Sequence, residues 1–169
     1  FYVWIPLGSV NEVGGDPRRP TTTPTQFHDQ NRDRGSRYRQ AMLATTTHDT
    51  KRTEDVRARL NVLSEIPRDW RAAVQRFSRL NKRLRREVDG EPAPSLKDEY
   101  LFYQSALGIW PLQEPSADEL ASLIQRLQAY MEKATHEAKQ RTSWINPNPA
   151  YDEAVREFVA QTLQDSAKS

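Results

Sequence analysis

One run in this 169-residue chain reads as a β-strand, and it stands alone. Ala41-Met42-Leu43-Ala44-Thr45-Thr46-Thr47 is short, apolar and then β-branched, and it stops abruptly in the ionisable cluster His48-Asp49-Thr50-Lys51-Arg52. A helical pattern opens at once, from Thr53-Glu54-Asp55-Val56. Strand, polar loop and helix in that order make the unit of an α/β barrel, where the loop after each strand holds side chains over the barrel mouth. His48 and Asp49 fall at that point. A lone strand has no neighbour for its backbone donors and acceptors. Three outcomes are open to it: an extended segment laid on helices, pairing with another molecule, or loss of strand geometry. The expected fold class is therefore mainly α, an irregular helical bundle with an orphaned barrel strand near 41–47.

The helices are marked by caps and apolar stripes. Ser116 with Glu119 forms a capping box ahead of Leu120, Leu123, Ile124, Leu127, Tyr130, Met131, Ala134 and Ala138, the clearest amphipathic stripe in the chain. Thr23, Pro24 and Gln26 repeat the capping pattern for a short helix expected to stop near Gly35. Between Thr53 and Ser64, Val56, Leu60 and Leu63 keep helical spacing, and Glu54 and Asp55 suit the positive end of the helix dipole. Pro67 opens a charged helix whose stripe of Trp70, Val74, Phe77, Leu80, Leu84 and Val88 is expected to run to Asp89-Gly90. Glu91-Pro92-Ala93-Pro94 reads as a stiff connector, after which Ser95 caps a helix ending near Gly108 and Pro111. Pro149 starts the last helix, which buries Ala154, Val155, Phe158, Val159 and Leu163 and frays from Asp165. At the other end, Phe1 to Leu7 is an aromatic cluster expected to pack against barrel elements outside the chain. Gly14-Gly15-Asp16-Pro17 marks a turn, with a Pro- and Thr-rich loop after it.

Charge and composition exclude several function classes. Lys and Arg number 25 against 23 Asp and Glu, and they are interleaved, as on a solvated surface. Arg79, Lys82, Arg83, Arg85 and Arg86 can track phosphates, but Glu87 and Asp89 follow and no aromatic residues alternate with them for stacking. Nucleic acid is not an expected partner. No stretch is long enough to span a bilayer, and Phe1 to Leu7 lacks the basic leader of a signal peptide. Cysteine is absent, which removes thiol chemistry and suits a cytoplasmic setting. His28, His48 and His136 are scattered, His28 reading as structural, and no metal-ligand cluster, phosphate loop or nucleophile elbow is present. No metal and no cofactor are expected. Because the chain starts at Phe1 within an apolar run, we read it as a piece of a longer protein.

A bare His-Asp pair after a strand reads either as a local turn or cap, or as a site. The longer string His48-Asp49-Thr50-Lys51-Arg52-Thr53-Glu54-Asp55-Val56-Arg57-Ala58-Arg59 resembles the segment after the seventh barrel strand of the maltooligosyltrehalose synthases. That family belongs to the α-amylase superfamily, which ends this strand with a His-Asp pair. Asn11-Glu12-Val13-Gly14-Gly15-Asp16-Pro17 and Thr142-Ser143-Trp144-Ile145-Asn146-Pro147-Asn148-Pro149 resemble the same family in the same order, so the resemblance covers nearly the whole chain. It departs at Val3-Trp4, where the family has Arg-Tyr, and no sugar contact is carried over there.

The resemblance implies intramolecular transglycosylation of maltooligosaccharides, the reducing-end α-1,4 linkage becoming an α,α-1,1 trehalose linkage, which is an isomerisation. Retaining glycosidases place nucleophile and acid/base carboxylates about 5–5.5 Å apart, and a further carboxylate beside the sugar ring stabilises the oxocarbenium-like transition state. By resemblance Asp49 is that third, catalytic carboxylate, and His48 binds the hydroxyls of the sugar under attack. The nucleophile and proton donor are expected upstream of Phe1, so the chain alone is expected to be inactive. Lys51 and Arg52 are candidate substrate-binding donors to sugar hydroxyls, with ion pairs to Glu54 or Asp55 as the competing reading. Trp144 is a candidate wall of the pocket that retains the released glucose; a buried Trp anchoring an inter-helix loop competes with it.

The organisation expected is a remnant of the catalytic barrel over residues 1–65 and a helical subdomain over 66–169. A maltooligosaccharide is the expected partner. Phe1 to Leu7 and the 41–47 run, once barrel-facing, are the surfaces through which an isolated chain would self-associate. The alternative, from another class, is a non-catalytic helical protein-interaction module.

Overall fold

Residues 2–13, 16 and 21–166 are described by the computed structural model of the chain, with side chains through Gln164. Among them run six helices, α1 (Pro24–Arg37), α2 (Glu54–Val62), α3 (Pro67–Leu80), α4 (Leu96–Ile109), α5 (Ala117–Ala138) and α6 (Pro149–Ser166). Short 3-10 turns lie at Gly8–Val10 and Asn81–Leu84. The strands β1 (Arg86–Val88) and β2 (Glu91–Ala93) form one antiparallel hairpin, with Arg86 opposite Ala93 and Val88 opposite Glu91. The architecture is mainly α, and no helix among the described residues is long and apolar enough to cross a membrane.

The helices begin where the caps place them. Both capping boxes close, Thr23 with Gln26 and Ser116 with Glu119, and the Ser95 hydroxyl accepts the Asp98 N–H at 3.1 Å. Hydrogen bonds from the Ser116 backbone N–H and hydroxyl hold the Glu119 carboxyl below its usual range. α1 runs past Gly35 to Arg37. One exposed glycine costs a helix only about 1 kcal/mol, and the Arg37–Asp33 pair at 2.7 Å spans the site. α6 likewise continues through Asp165 to Ser166.

The core is built by α4, α5 and α6. Phe102, Leu127, Met131, Tyr151, Phe158 and Val159 are all but sealed, and the Phe102 and Phe158 rings meet edge to face at 5.8 Å. Two buried carboxylates there are paired: Tyr151 donates its hydroxyl to Asp98, and Glu99 accepts from the Tyr103 hydroxyl at 2.6 Å and pairs with Arg85 at 2.6 Å. α2 reaches this core through α4. Gly108 permits the contact, since a β-carbon there would lie 2.8 Å from Val56 Cγ1.

Four sequence expectations change. First, residues 41–47 belong to no strand among the described residues. No described strand offers them a ladder, and Met42 and Leu43 stand 99% and 72% exposed. Second, the helix from Pro67 ends at Leu80 and the chain turns back through β1 and β2, so Glu91-Pro92-Ala93 is a strand and not a connector. Asp89 and Gly90 carry φ of 54° and 76°, the left-handed pair that a tight hairpin turn requires. Third, Tyr2 and Ile5 pack into this chain's own core: Tyr2 meets the Tyr130 ring at 6.3 Å, and the buried Gln104 amide accepts the Gly8 N–H at 2.6 Å and donates to the Ile5 carbonyl at 3.0 Å. Val3 and Trp4 remain exposed. Fourth, Trp144 is not a buried anchor. The expectations for Phe1, for the Gly14-Gly15 turn and for Pro17 to Pro20 lie outside the described residues.

Candidate functional site

The loop that precedes α2 is fastened on both sides of its reactive pair. Thr45 and Thr46 donate their hydroxyls to the Glu54 carboxylate, Thr45 at 3.3 Å, while the Arg57 guanidinium donates to the Thr45 carbonyl. These bonds, the one from Thr46 above all, hold the Glu54 carboxyl below its usual range. Beyond the pair, the Lys51 N–H donates to Glu12 Oε1 at 2.8 Å, and the same carboxylate faces Arg57 at 3.6 Å. The first turn of α2 and the amino-terminal segment thus clamp the loop from opposite directions.

Between the clamps, the Thr50 N–H and hydroxyl both donate to the Thr47 carbonyl, at 3.2 and 2.7 Å. His48 and Asp49 are therefore the two central residues of a β-turn, and the Asp49 N–H is drawn to the Thr47 hydroxyl at 3.3 Å. The side chains of His48 and Asp49 are 91% and 69% exposed, with Nε2 and Oδ2 3.4 Å apart. Among the described residues neither has another side-chain partner. A carboxylate and an imidazole side by side in solvent can hold neighbouring hydroxyls and set negative charge beside a developing cation.

Arg52 points the other way. It is buried, donating to the Asn11 carbonyl at 3.3 Å and to the Tyr130 hydroxyl at 2.7 Å, with its guanidinium carbon 5.9 Å from the centre of that ring. The competing pairing with Glu54 or Asp55 does not form for Arg52, whose guanidinium is engaged by Asn11 and Tyr130 instead. Burial pushes the Tyr130 hydroxyl up, and the Arg52 charge opposes that shift. Lys51 Nζ lies 3.8 Å from Glu137 in the last turn of α5, again away from Glu54 and Asp55. Lys51, Arg52, Thr53, Val56, Ser105 and Tyr130 are among the residues lining a recess of about 240 Å³ beneath the loop.

Trp144 is 60% exposed and sits on the His136 ring, centroid to centroid 4.3 Å. His136 is buried and faces Asp152 at 3.0 Å and the Thr142 hydroxyl at 3.3 Å. A small turn holds the indole's backbone, the Ser143 N–H reaching the Asn146 carbonyl at 3.1 Å. Lys51 and Trp144 thus approach the same end of α5, whereas His48 and Asp49 project into solvent from the loop tip. Sequence reasoning missed Glu12 and Tyr130, which position this loop. Glu12 lies in the family-like segment near the amino terminus, while Tyr130 reads as one more member of an apolar stripe.

No family model matches the chain. A Mycobacterium tuberculosis protein named as a maltooligosyl trehalose synthase is 38% identical over 163 residues, covering 96% of this chain and 20% of its own. The fold of a crystal structure of maltooligosyl trehalose synthase matches with a TM-score of 0.83 at 36% identity, over 98% of this chain and 21% of that one. A hypothetical maltooligosyl trehalose synthase of Sulfolobus tokodaii gives 0.81 at 30% identity, over 98% and 21%. This chain spans about one fifth of the length of the relatives it matches. By sequence and by fold this chain is similar to about one fifth of the length of the maltooligosyl trehalose synthases.

Proposed function

We propose that these residues serve an enzyme that converts maltooligosaccharides into maltooligosyltrehaloses by intramolecular transglycosylation, an isomerisation. The observation that carries this reading is the His48–Asp49 pair at the tip of a β-turn, exposed yet clamped on both sides, within a chain so similar to these synthases. In the proposed mechanism Asp49 sets its charge beside the oxocarbenium-like centre and His48 holds ring hydroxyls of the same sugar. The nucleophile and the acid/base are carried by other parts of a longer polypeptide, so residues 1–169 alone are inactive. Residues 1–65 belong to its catalytic barrel and 66–169 to a helical subdomain, in a cytoplasmic setting. The exposed 41–43 run is where the remainder of the barrel, or a second copy of an isolated chain, would seat.

Lys51 and Trp144 supply the neighbouring substrate contacts in this reading. Arg52 supports the loop from beneath, because its guanidinium already donates to Asn11 and Tyr130. The test is product analysis of a longer polypeptide carrying these residues, incubated with maltopentaose with and without Asp49→Asn. The expected product is a non-reducing isomer of unchanged mass, lost in the variant. Shorter reducing sugars would point to a hydrolase, and full turnover by the variant would remove Asp49 from the chemistry.

A further inference from the structure

Charges of both signs interleave along most of this chain, but one stretch is strongly basic. Residues 67–86, which span α3 and the turn after it, carry eight Lys and Arg against the single Asp69, although the whole chain is only +2. Arg85 pairs with Glu99 at 2.6 Å and Arg86 with Glu157. Arg68, Arg71, Arg76, Arg79 and Lys82 face no carboxylate partner among the described residues. The same helix is strongly amphipathic, yet none of its residues is fully buried, and Phe77 is 39% exposed. Its apolar face is only half covered.

Along that face lie two adjoining clefts, of about 540 Å³ and about 380 Å³. They share Val74, Gln75 and Tyr100 and so form one groove between α3 and α4. Its floor is apolar, from Leu63 through Val74 to Leu96, the last 63% exposed. Arg71, Gln75, Arg79 and Lys82, at successive steps of four, four and three residues, line it from the α3 side. Glu99, the carboxylate within it, is neutralised by Arg85.

We infer that this groove docks an acidic, amphipathic helical segment of a partner polypeptide. Such a helix sets apolar side chains into a groove at i, i+3, i+4 and i+7, and its flanking carboxylates would meet the unpaired cations of the rim. A nucleic acid fits less well, because the aromatic rings here are engaged. Trp70 donates to the Tyr100 hydroxyl at 3.0 Å, and Tyr103 packs on Phe77 at 5.5 Å while donating to Glu99.

The experiment is fluorescence anisotropy of a labelled 18-residue helical peptide of Leu and Glu, titrated with residues 1–169. Saturable binding that weakens about tenfold or more in the double variant Arg79→Glu, Lys82→Glu, and also weakens with added salt, is expected. Both positions are exposed, and circular dichroism verifies that the variant folds; Leu96→Glu provides an independent block of the floor. Equal binding of a Leu and Lys peptide, or no change in either variant, would overturn the inference. So would tighter binding of a single-stranded oligonucleotide. Sedimentation separates the remaining occupants: a dimer of residues 1–169 abolished by the double variant would assign the groove to a second copy. A longer polypeptide containing these residues that refuses the peptide would assign it to its own chain.

Discussion

The α5–α6 core and the loop at 41–50 are held by opposite means. In the core, Leu127, Met131, Phe158 and Val159 are at most 1% exposed, and apolar burial supplies the stability. In the loop, Met42, Leu43, His48 and Asp49 face water, and the fastening is hydrogen bonds to Glu54, Arg57 and Glu12. Packing fixes the helices whatever the loop does, and the loop can present ionisable groups because nothing in the core depends on them. Arg52 sits on the border, continuous with the loop in sequence and buried against Tyr130 in space.

That division can be broken at graded points. Phe158→Ala, which empties the space against Phe102, is expected to cost about 3–5 kcal/mol in urea unfolding. A cost under about 1 kcal/mol would mean the core is elsewhere. Arg52→Met should cost about 1–3 kcal/mol, since it removes the buried guanidinium that donates to the Asn11 carbonyl and the Tyr130 hydroxyl; a neutral result would return Arg52 to the loop's exposed class. The two capping boxes sharpen the contrast. Ser116→Ala should lower stability by about 1 kcal/mol, while Thr23→Ala, on the unburied α1, should leave the global unfolding transition in place.

The Glu54 clamp makes the loop sensitive to acid. The Glu54 carboxyl is held low in the folded state, so its stabilising contribution is present above its unfolded pKa and is lost as pH falls through the lower folded value. An NMR titration should show the Thr46 amide shifting with a midpoint below that of an ordinary glutamate; a midpoint at the ordinary value would remove the Thr46–Glu54 clamp. The smallest effect is expected at Asp49→Asn, within about 0.5 kcal/mol of the parent in stability. A larger loss would give Asp49 a structural role that its exposure argues against.

Much of the helical scaffold was legible in sequence because its signals are local. Thr23 with Gln26, Ser95, Ser116 with Glu119, and Pro149 all mark starts that the structure keeps. The hairpin was not legible, because the helical stripe of Trp70 continues numerically through Leu84 and Val88 and so reads Asp89-Gly90 as a stop. A hairpin reading needed a strand on each side, and Arg86–Val88 and Glu91–Ala93 are too short to announce themselves. The position of the His48–Asp49 pair between strand-like run and helix was plain, but its surroundings were not. Arg52 finds Asn11 across 41 residues and Tyr130 across 78, distances over which neither periodicity nor spacing speaks.

The two methionines of the chain sit at the extremes of its surface, Met42 at 99% exposure and Met131 at 0%. Dilute peroxide should convert Met42 to its sulfoxide while Met131 stays a thioether until the helices open. A single mass spectrum therefore carries an internal clock: the first oxygen reports whether the 41–47 run is covered, and the second reports unfolding. Any sheet, second copy or larger enzyme that seats on that run will announce itself by slowing the first event and leaving the second where it was.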